Sequence, residues 1–274
     1  MIALFVGLVL LDGWLDGSLT YSTADDRPVQ GTLVMLLVAA ALTLGVLELS
    51  QFTVSKGLKL LRGSSILGVL AVSTAWYWPQ MIGISQGVYL SLALVLALVA
   101  TLLEQNLRFG TEGTLASSGA GSFCMLYLGV LAAFFLAIRV QAGPWAFLAF
   151  VFVVKLSDTG AYTFGKLFGA HKLAPRISPG KTWEGLAGAV VVASLVSIAF
   201  AGAFDIMSVW QATLFGASMA VAGQLSDLAE SMLKRDAQQK DSSNSVPGFG
   251  GILDVLDSLL FAAPLAYVFI AMRG

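Results

Sequence analysis

The sequence predicts an all-α integral membrane protein, a polytopic bundle of about nine transmembrane helices with its N-terminus in the cytoplasm. Hydrophobic residues make up 57% of the 274 residues and charged residues only 11%, whereas a soluble domain carries roughly 25% charged residues. The mean hydropathy is +0.85. Apolar runs also alternate with short polar connections along the chain, and a run of about 20 apolar residues can cross a bilayer as a helix.

The apolar runs define the spans in order. The first, residues 2–11, is short. It lacks a basic leading segment and a small-residue cleavage site, so we interpret it as a short span rather than a signal peptide. Whether further residues of this span precede Met1 is left open. An acidic loop with Asp12, Asp16, Asp25 and Asp26 follows. The remaining spans are predicted at 31–50, 64–79, 84–104, 118–138, 145–165, 185–204, 210–230 and 254–272.

The distribution of Lys and Arg predicts the orientation. Every second loop is basic, and the alternate loops hold only Arg27 and Arg139. The basic loops contain Lys56, Lys59, Arg62, Arg108, Lys166, Lys172, Arg176, Lys181, Lys234, Arg235 and Lys240. Because basic loops stay in the cytoplasm, we expect the N-terminus inside and the C-terminus, at Arg273, outside.

Several function classes are disfavoured by composition. The net charge of −1 gives no general attraction to nucleic acid. The single cysteine, Cys124, can form no internal disulfide. The single histidine, His171, excludes a metal site built from several histidines and a Ser-His-Asp triad of ordinary design; we interpret it as a plain loop residue.

Charge is concentrated in residues 226–258, which hold nine of the charged residues at the edge of the predicted membrane region. On a helix, Asp227, Glu230 and Lys234 fall on one face, and Asp254 and Asp257 share a face of the next helix. Carboxylates on two facing helices suit Mg²⁺, which often shares its ligands with substrate phosphates, and the basic residues suit the phosphates. The alternative is a solvated cytoplasmic loop.

A second polar stretch covers residues 155–185. Asp158, Tyr162, Gly165 and Gly169 recur on one helix face, and the glycine pair permits close helix packing. A carboxylate within a span needs a cation or an internal partner, so Asp158 is expected to have one. The alternative is a purely structural pairing with Lys155 or a hydroxyl.

The segment before the seventh span contains a possible phosphate contact. Ser178-Pro179 predicts an N-cap followed by proline at the first helical position, with Lys181 and Thr182 in the first turn. A P-loop does not fit, because Pro175 stands where that motif requires glycine.

Together these residues resemble the phosphatidate cytidylyltransferases, or CDP-diacylglycerol synthases. The first block is SMLKR at 231–235, KD at 240–241 and PGFGGILDVLDS at 247–258. The second is DTGAY at 158–162, KLAP at 172–175, SP at 178–179 and KTWEG at 181–185. The resemblance covers about the C-terminal 120 residues, while the first 140 match only as hydrophobic spans.

The resemblance implies transfer of CMP from CTP to phosphatidic acid, with pyrophosphate released and Mg²⁺ as cofactor, a second metal ion being left open. The expected catalytic residues are Asp227, Asp254, Asp257, Lys234, Lys240 and Asp241. The expected substrate-binding residues are Lys181, Arg235, Ser178, Thr182, Arg176, Tyr162, Gly250 and Gly251. The expected metal ligands are Asp227, Asp254, Asp257 and Asp158.

The resemblance also implies a division of the chain. Residues 1–140 would form about five spans, and residues 141–274 the catalytic region, with its site open to the cytoplasm and the inner leaflet. The expected location is the bacterial inner membrane. The partners would be CTP, phosphatidic acid and membrane lipid, without nucleic acid, and the family implies a homodimer.

Three positions depart from the family pattern. Phe249 and Val255 stand where histidine and arginine are usual, and Ser226 replaces a usual glycine. These departures keep open a lipid-binding pseudoenzyme, although the acidic set is intact. An ion-coupled transporter is a further alternative, because intramembrane Asp158 and Asp227 could bind a cation; no internal repeat between the two halves favours it.

Overall fold

The computed structural model describes residues 2–19, 29–239 and 250–272. Its helices are α1 (Ile2–Leu15), α2 (Thr32–Ser55), α3 (Arg62–Ser73), α4 (Pro79–Ile82), α5 (Gln86–Phe109), α6 (Thr114–Cys124), α7 (Leu131–Phe168), α8 (Trp183–Phe204), α9 (Val209–Asp236) and α10 (Ile252–Ala271). A π-helical segment, Met125–Val130, joins α6 to α7. Two short strands, β1 (Lys172–Ala174) and β2 (Ser178–Thr182), pair antiparallel between α7 and α8.

The predicted all-α polytopic class is confirmed. In the described residues, five helices are long and apolar enough to cross a membrane: Thr32–Ser55, Gln86–Phe109, Thr114–Phe168, Trp183–Phe204 and Ile252–Ala271. The apolar helices α1 and α3 have only 14 and 12 residues, and α9 carries charge in its last turns. Nine spans is therefore an approximate count.

The boundary between the predicted fifth and sixth spans is a kink in one long helical run. Thr114–Phe168 covers 55 residues, longer than one crossing requires. Gly143, with φ 79° and ψ 178°, breaks the helical geometry inside α7, and Pro144 follows it. Glycine tolerates the positive φ, and proline fits the first turn of the helix that resumes.

Two details of the predicted elements are wrong. The helix predicted over 64–79 ends at Ser73, and turns follow it. Ser178-Pro179 does not begin α8, because these residues lie in β2. The N-cap is Thr182, whose side chain accepts a hydrogen bond from Gly185 N at 3.1 Å. Lys181 therefore precedes the helix instead of lying in its first turn.

The chain forms two compact units. The first contains Met1–Pro144 and Ala237–Val255, and the second contains Trp145–Asp236 and Leu256–Gly274.

Within the second unit, α8 and α9 pack closely along each other. A Cβ added to Gly216 of α9 would lie 2.5 Å from Ser194 Cα of α8, so only glycine fits there. Phe152 of α7 stacks with Phe200 of α8, their ring centroids 5.8 Å apart. Small and aromatic residues therefore set the spacing of these helices.

The first unit contains a buried ionic triad. Arg139 has no solvent exposure; its Nε donates to Asp12 Oδ2 at 2.9 Å and its Nη2 to Asp16 Oδ2 at 2.7 Å. The carboxylates also accept backbone N–H groups at the start of α2, from Leu33 at 2.7 Å and Gly31 at 2.9 Å. The triad thus ties α1, α2 and α7 together in the first unit.

We predict that Arg139→Met strongly destabilises the protein. It would leave Asp12 and Asp16 buried without their cation, a loss of about 3–5 kcal/mol. The matched control is Arg108→Met, because Arg108 pairs with Glu104 at 3.0 Å but its side chain is 63% exposed, and such a pair contributes at most about 1 kcal/mol. The measurement is thermal unfolding in neutral detergent followed by circular dichroism. Equal melting temperatures for the two variants would contradict the prediction.

Candidate active site

A lysine and two carboxylates from α7 and α10 meet in the second unit. Lys155 Nζ donates a hydrogen bond to Ser258 Oγ at 2.8 Å. The same ammonium lies 3.9 Å from Asp158 Oδ2 and 3.9 Å from Asp257 Oδ1. These side chains are only 16–33% exposed. Lys155 therefore offsets the charge of two partly buried carboxylates.

The third carboxylate, Asp227, comes from α9. It lies within electrostatic range of both Asp158 and Asp257. Lys181, at the end of β2, binds Asp227 Oδ2 at 2.7 Å and Gln224 Oε1 at 3.1 Å. Asp158, Asp227 and Asp257 are called the carboxylate cluster below. It combines residues from both polar stretches of the sequence.

Ser226 holds α9 against α10 next to the cluster. Its fully buried hydroxyl donates to the carbonyl oxygen of Asp257 and accepts from Phe261 N at 3.3 Å. One helical turn earlier, α9 also lies close to α10, because a Cβ added to Gly223 would be 3.8 Å from Ser258 Cβ. Ser226, a departure from the family pattern, thus makes a structural hydrogen bond that glycine would lack.

Lys234 and Glu230 form a pair beside the cluster on α9. They are one turn apart, with Nζ 2.5 Å from Glu230 Oε2. Glu230 is 1% exposed. The helical face predicted for Asp227, Glu230 and Lys234 is present, since α9 extends to Asp236. Lys234, predicted to be catalytic, is bound to a carboxylate in this structure.

The carboxylate cluster has donor atoms suited to a cation. Asp158 Oδ1 and Asp227 Oδ1 are both buried, and neither has a hydrogen-bond partner in the part of the chain described. Buried carboxylate oxygens of this kind suit Mg²⁺. Across residues 2–19, 29–239 and 250–272, however, no three His, Cys, Asp or Glu side chains are already grouped as a metal site. These residues therefore fit a metal that takes its other ligands from phosphates and water.

Asp254 occupies a helix-capping position in the first unit. Its Oδ2 accepts a hydrogen bond from Gly251 N at 2.7 Å, the contact that a third helical residue makes with its N-cap. Gly250 has φ 86°, and a Cβ there would lie 2.6 Å from the same oxygen. Gly250 is thus needed for the turn that begins α10, and Asp254 stabilises that turn through Gly251 N.

Glu48 of α2 is a second cap for α10 in the same unit. It is 2% exposed, and its two oxygens accept from Ile252 N and Leu253 N, each at 2.9 Å. A carboxylate at a helix N-terminus is favoured by the exposed N–H groups and by the helix dipole.

The other predicted substrate residues do not form one cluster, and several of them lie on or near the hairpin formed by β1 and β2. Tyr162 is 69% exposed, Arg176 is exposed, and Ser178 is half-buried in β2. Arg235 Nε donates to Ile177 O at 3.4 Å. Thr182 is 5% exposed and caps α8. Lys240, Asp241 and Phe249 lie outside the described residues.

Sequence analysis missed two of these contacts. No sequence pattern marks Gln224, which binds Lys181. Lys155 is predicted only as a structural partner of Asp158. Its position three residues before Asp158 is the signal that could have assigned it to the candidate site. The predicted close packing of Gly165 is present: its Cβ would lie 3.6 Å from Gly185 Cα of α8.

Comparison with known proteins gives consistent matches. The model of the cytidylyltransferase family matches residues 28–273. A Staphylococcus epidermidis protein named phosphatidate cytidylyltransferase is 35% identical over 245 residues, covering 86% of this chain and 90% of that protein. A Staphylococcus aureus protein of the same name is 35% identical over 247 residues, again covering 86% of this chain and 90% of that protein.

We predict that Lys155→Met lowers stability in EDTA and increases the stabilisation produced by Mg²⁺. Without the ammonium, Asp158 and Asp257 would each lose their nearby cation, at a cost of about 1–2 kcal/mol for two partly exposed pairs. A divalent cation would then supply the missing charge. The measurement is the melting temperature in EDTA and in excess Mg²⁺.

The control is Lys166→Met, which removes a lysine on the same helix whose Nζ lies 5.7 Å from the Tyr162 ring centroid. An equal Mg²⁺ response in the parent and in Lys155→Met would show that Lys155 does not neutralise Asp158 and Asp257.

Proposed function

Because the chain belongs to the cytidylyltransferase family, we propose that it transfers CMP from CTP to phosphatidic acid, giving CDP-diacylglycerol and pyrophosphate. The names of the relatives and their coverage of 86% of this chain support this activity. The observation that carries the proposal is the carboxylate cluster with Lys155 and Lys181 beside it, because nucleotidyl transfer needs both metal-binding oxygens and cations for phosphates.

The reaction is a displacement at the α-phosphorus of CTP. A phosphate oxygen of phosphatidic acid forms the new P–O bond, the bond to the β-phosphate oxygen breaks, and pyrophosphate leaves with that electron pair. Because the nucleophile is already an anion, no side chain has to remove a proton. The task of the protein is to position the two substrates and to neutralise their charge.

The lysines around the cluster would perform that neutralisation. Lys181 Nζ, now 2.7 Å from Asp227, can turn to a phosphate because its side chain is partly exposed, at 17%. Lys155 stays hydrogen-bonded to Ser258 and keeps Asp158 and Asp257 together. Mg²⁺, when bound, would polarise the phosphates, and Asp158, Asp227 and Asp257 would hold it.

The exposed hairpin and the basic end of α9 are suited to the nucleotide. Lys172, Arg176 and Arg235 are all exposed there, so they can meet CTP from solvent. We assign this face to the cytoplasm of a bacterial inner membrane, because the basic loops lie on that side. The lipid would enter sideways from the inner leaflet, and two copies of the chain would assemble as a dimer.

The activity test is incorporation of labelled cytidine from CTP into lipid by the purified chain in micelles containing phosphatidic acid. We expect lipid product and pyrophosphate in equal amounts, and no product when EDTA replaces Mg²⁺. Phosphatidic acid binding without product would support the pseudoenzyme that Phe249 and Val255 leave open, and would reject the transferase.

We predict that Asp227→Asn and Asp257→Asn each lower kcat about a hundredfold or more while the protein stays folded, since one lost metal ligand costs several kcal/mol. The matched control is Asp205→Asn: Asp205 is exposed and has φ 49°, a conformation that asparagine adopts readily. Activity near that of the parent in both cluster variants would remove these carboxylates from the site.

We predict that the hairpin and the end of α9 face the cytoplasm. In a chain with Cys124→Ser, cysteines introduced by Lys172→Cys or Gln238→Cys should react with an impermeant thiol reagent only from the cytoplasmic side. The control, Ser208→Cys in the connection between α8 and α9, should react only from the opposite side. Reversed labelling would place the site away from CTP and overturn this orientation.

A further inference from the structure

The first unit contains an open cavity of about 450 Å³ that sequence analysis did not predict. It lies where α2 ends, α3 begins and α5 ends. The lining residues used below are Val54, Leu58, Lys59, Arg62, Arg108 and Phe109, and they are called the basic pocket. A volume in this range is typical of sites for small ligands.

The basic pocket carries excess positive charge. It has three cations, and its lining includes one carboxylate, Glu104. Glu104 pairs with Arg108 at 3.0 Å and accepts a hydrogen bond from Ser64 N at 2.6 Å. Lys59 lies 4.4 Å from the centroid of the Phe109 ring. The Arg62 side chain is exposed, and it lines the pocket beside Lys59. The pocket is therefore complementary to an anion.

The same pocket exposes apolar surface. Val54 is 63% exposed, Leu58 39% and Phe109 38%. These residues border Lys59 and Arg62, so cationic and apolar groups share one cavity. Free phosphate would use only the cations. A phospholipid would use both parts, with its phosphate on the cations and its first acyl carbons against the apolar residues.

We propose that the basic pocket is a binding site for an anionic phospholipid of the surrounding bilayer. The phosphate lies between Lys59 and Arg62, near the N-terminus of α3, where the helix dipole adds to the attraction. The acyl chains run along Val54, Leu58 and Phe109. Basic pockets between membrane helices have the chemistry that recognises such headgroups.

This site is separate from the proposed reaction. The basic pocket belongs entirely to the first unit, and the carboxylate cluster belongs to the second. It shares no residue with the groups proposed to bind CTP or metal. Lipid binding can therefore be measured without substrate turnover, and its failure would leave the proposed activity unaffected.

The test is photocrosslinking of the full chain in phosphatidylcholine nanodiscs containing a trace of phosphatidylglycerol with a diazirine in its acyl chain. Label is mapped by mass spectrometry to residues 54–62 and 104–109. We expect excess unlabelled phosphatidylglycerol to compete, and phosphatidylcholine and soluble glycerol 3-phosphate not to compete. Competition by glycerol 3-phosphate as strong as that by phosphatidylglycerol would mean a site for a free phosphate ester and would overturn the lipid assignment.

Variants separate the pocket from general attraction to a basic loop. Lys59→Gln and Arg62→Gln should each lower the labelling by about threefold, the size expected for one exposed ion pair. Lys56→Gln is the matched control, because Lys56 is exposed in the same loop but does not line the pocket. Circular dichroism confirms that each variant is folded. An equal loss in Lys56→Gln, or no loss in Lys59→Gln and Arg62→Gln, would reject the basic pocket.

Discussion

A charge inside an apolar helical protein has to be neutralised by a nearby partner, because the desolvation of an unpaired ion costs several kcal/mol. This constraint explains the most specific contacts of the chain. Arg139 is buried between Asp12 and Asp16, and the Glu48 carboxylate meets the first N–H groups of α10. Lys155 lies between Asp158 and Asp257. Each pairing joins helices through a contact between specific atoms, which hydrophobic packing alone does not specify.

Two of these pairings differ in how completely their carboxylates are satisfied. The Asp12 and Asp16 carboxylates are held by Arg139 and by backbone N–H groups, as expected for a structural element. Around Lys155, distances of 3.9 Å and exposures of 16–33% leave room for another ligand. Asp158 Oδ1 and Asp227 Oδ1 also lack partners among the described residues. Carboxylate oxygens that lack hydrogen-bond partners in a partly exposed position are typical of a functional site.

The sequence alone predicted the helices well, because apolar runs of membrane length have few alternatives. It also selected Asp158, Asp227 and Asp257, because charge at helical spacing is conspicuous in an apolar chain. It could not find the cap that Glu48 provides for α10, since those residues are about 200 positions apart and only folding brings them together. The misplaced start of α8 has a local cause. Ser-Pro is a good N-cap pair, but pairing of β2 with β1 holds Ser178–Thr182 extended and gives the cap to Thr182.

The charge balance of the cluster suggests how substrates would enter it. Three carboxylates lie beside only two lysines, Lys155 and Lys181, so a triphosphate arriving without a cation would meet more carboxylates than lysines. In the proposed reaction, a cation would accompany the nucleotide, or Lys181 would leave Asp227 and bind a phosphate. The second change exposes Asp227 at the moment when a cation can use it. In the proposed reaction, the pairing of Lys181 with Asp227 would couple binding of the anion to binding of the metal.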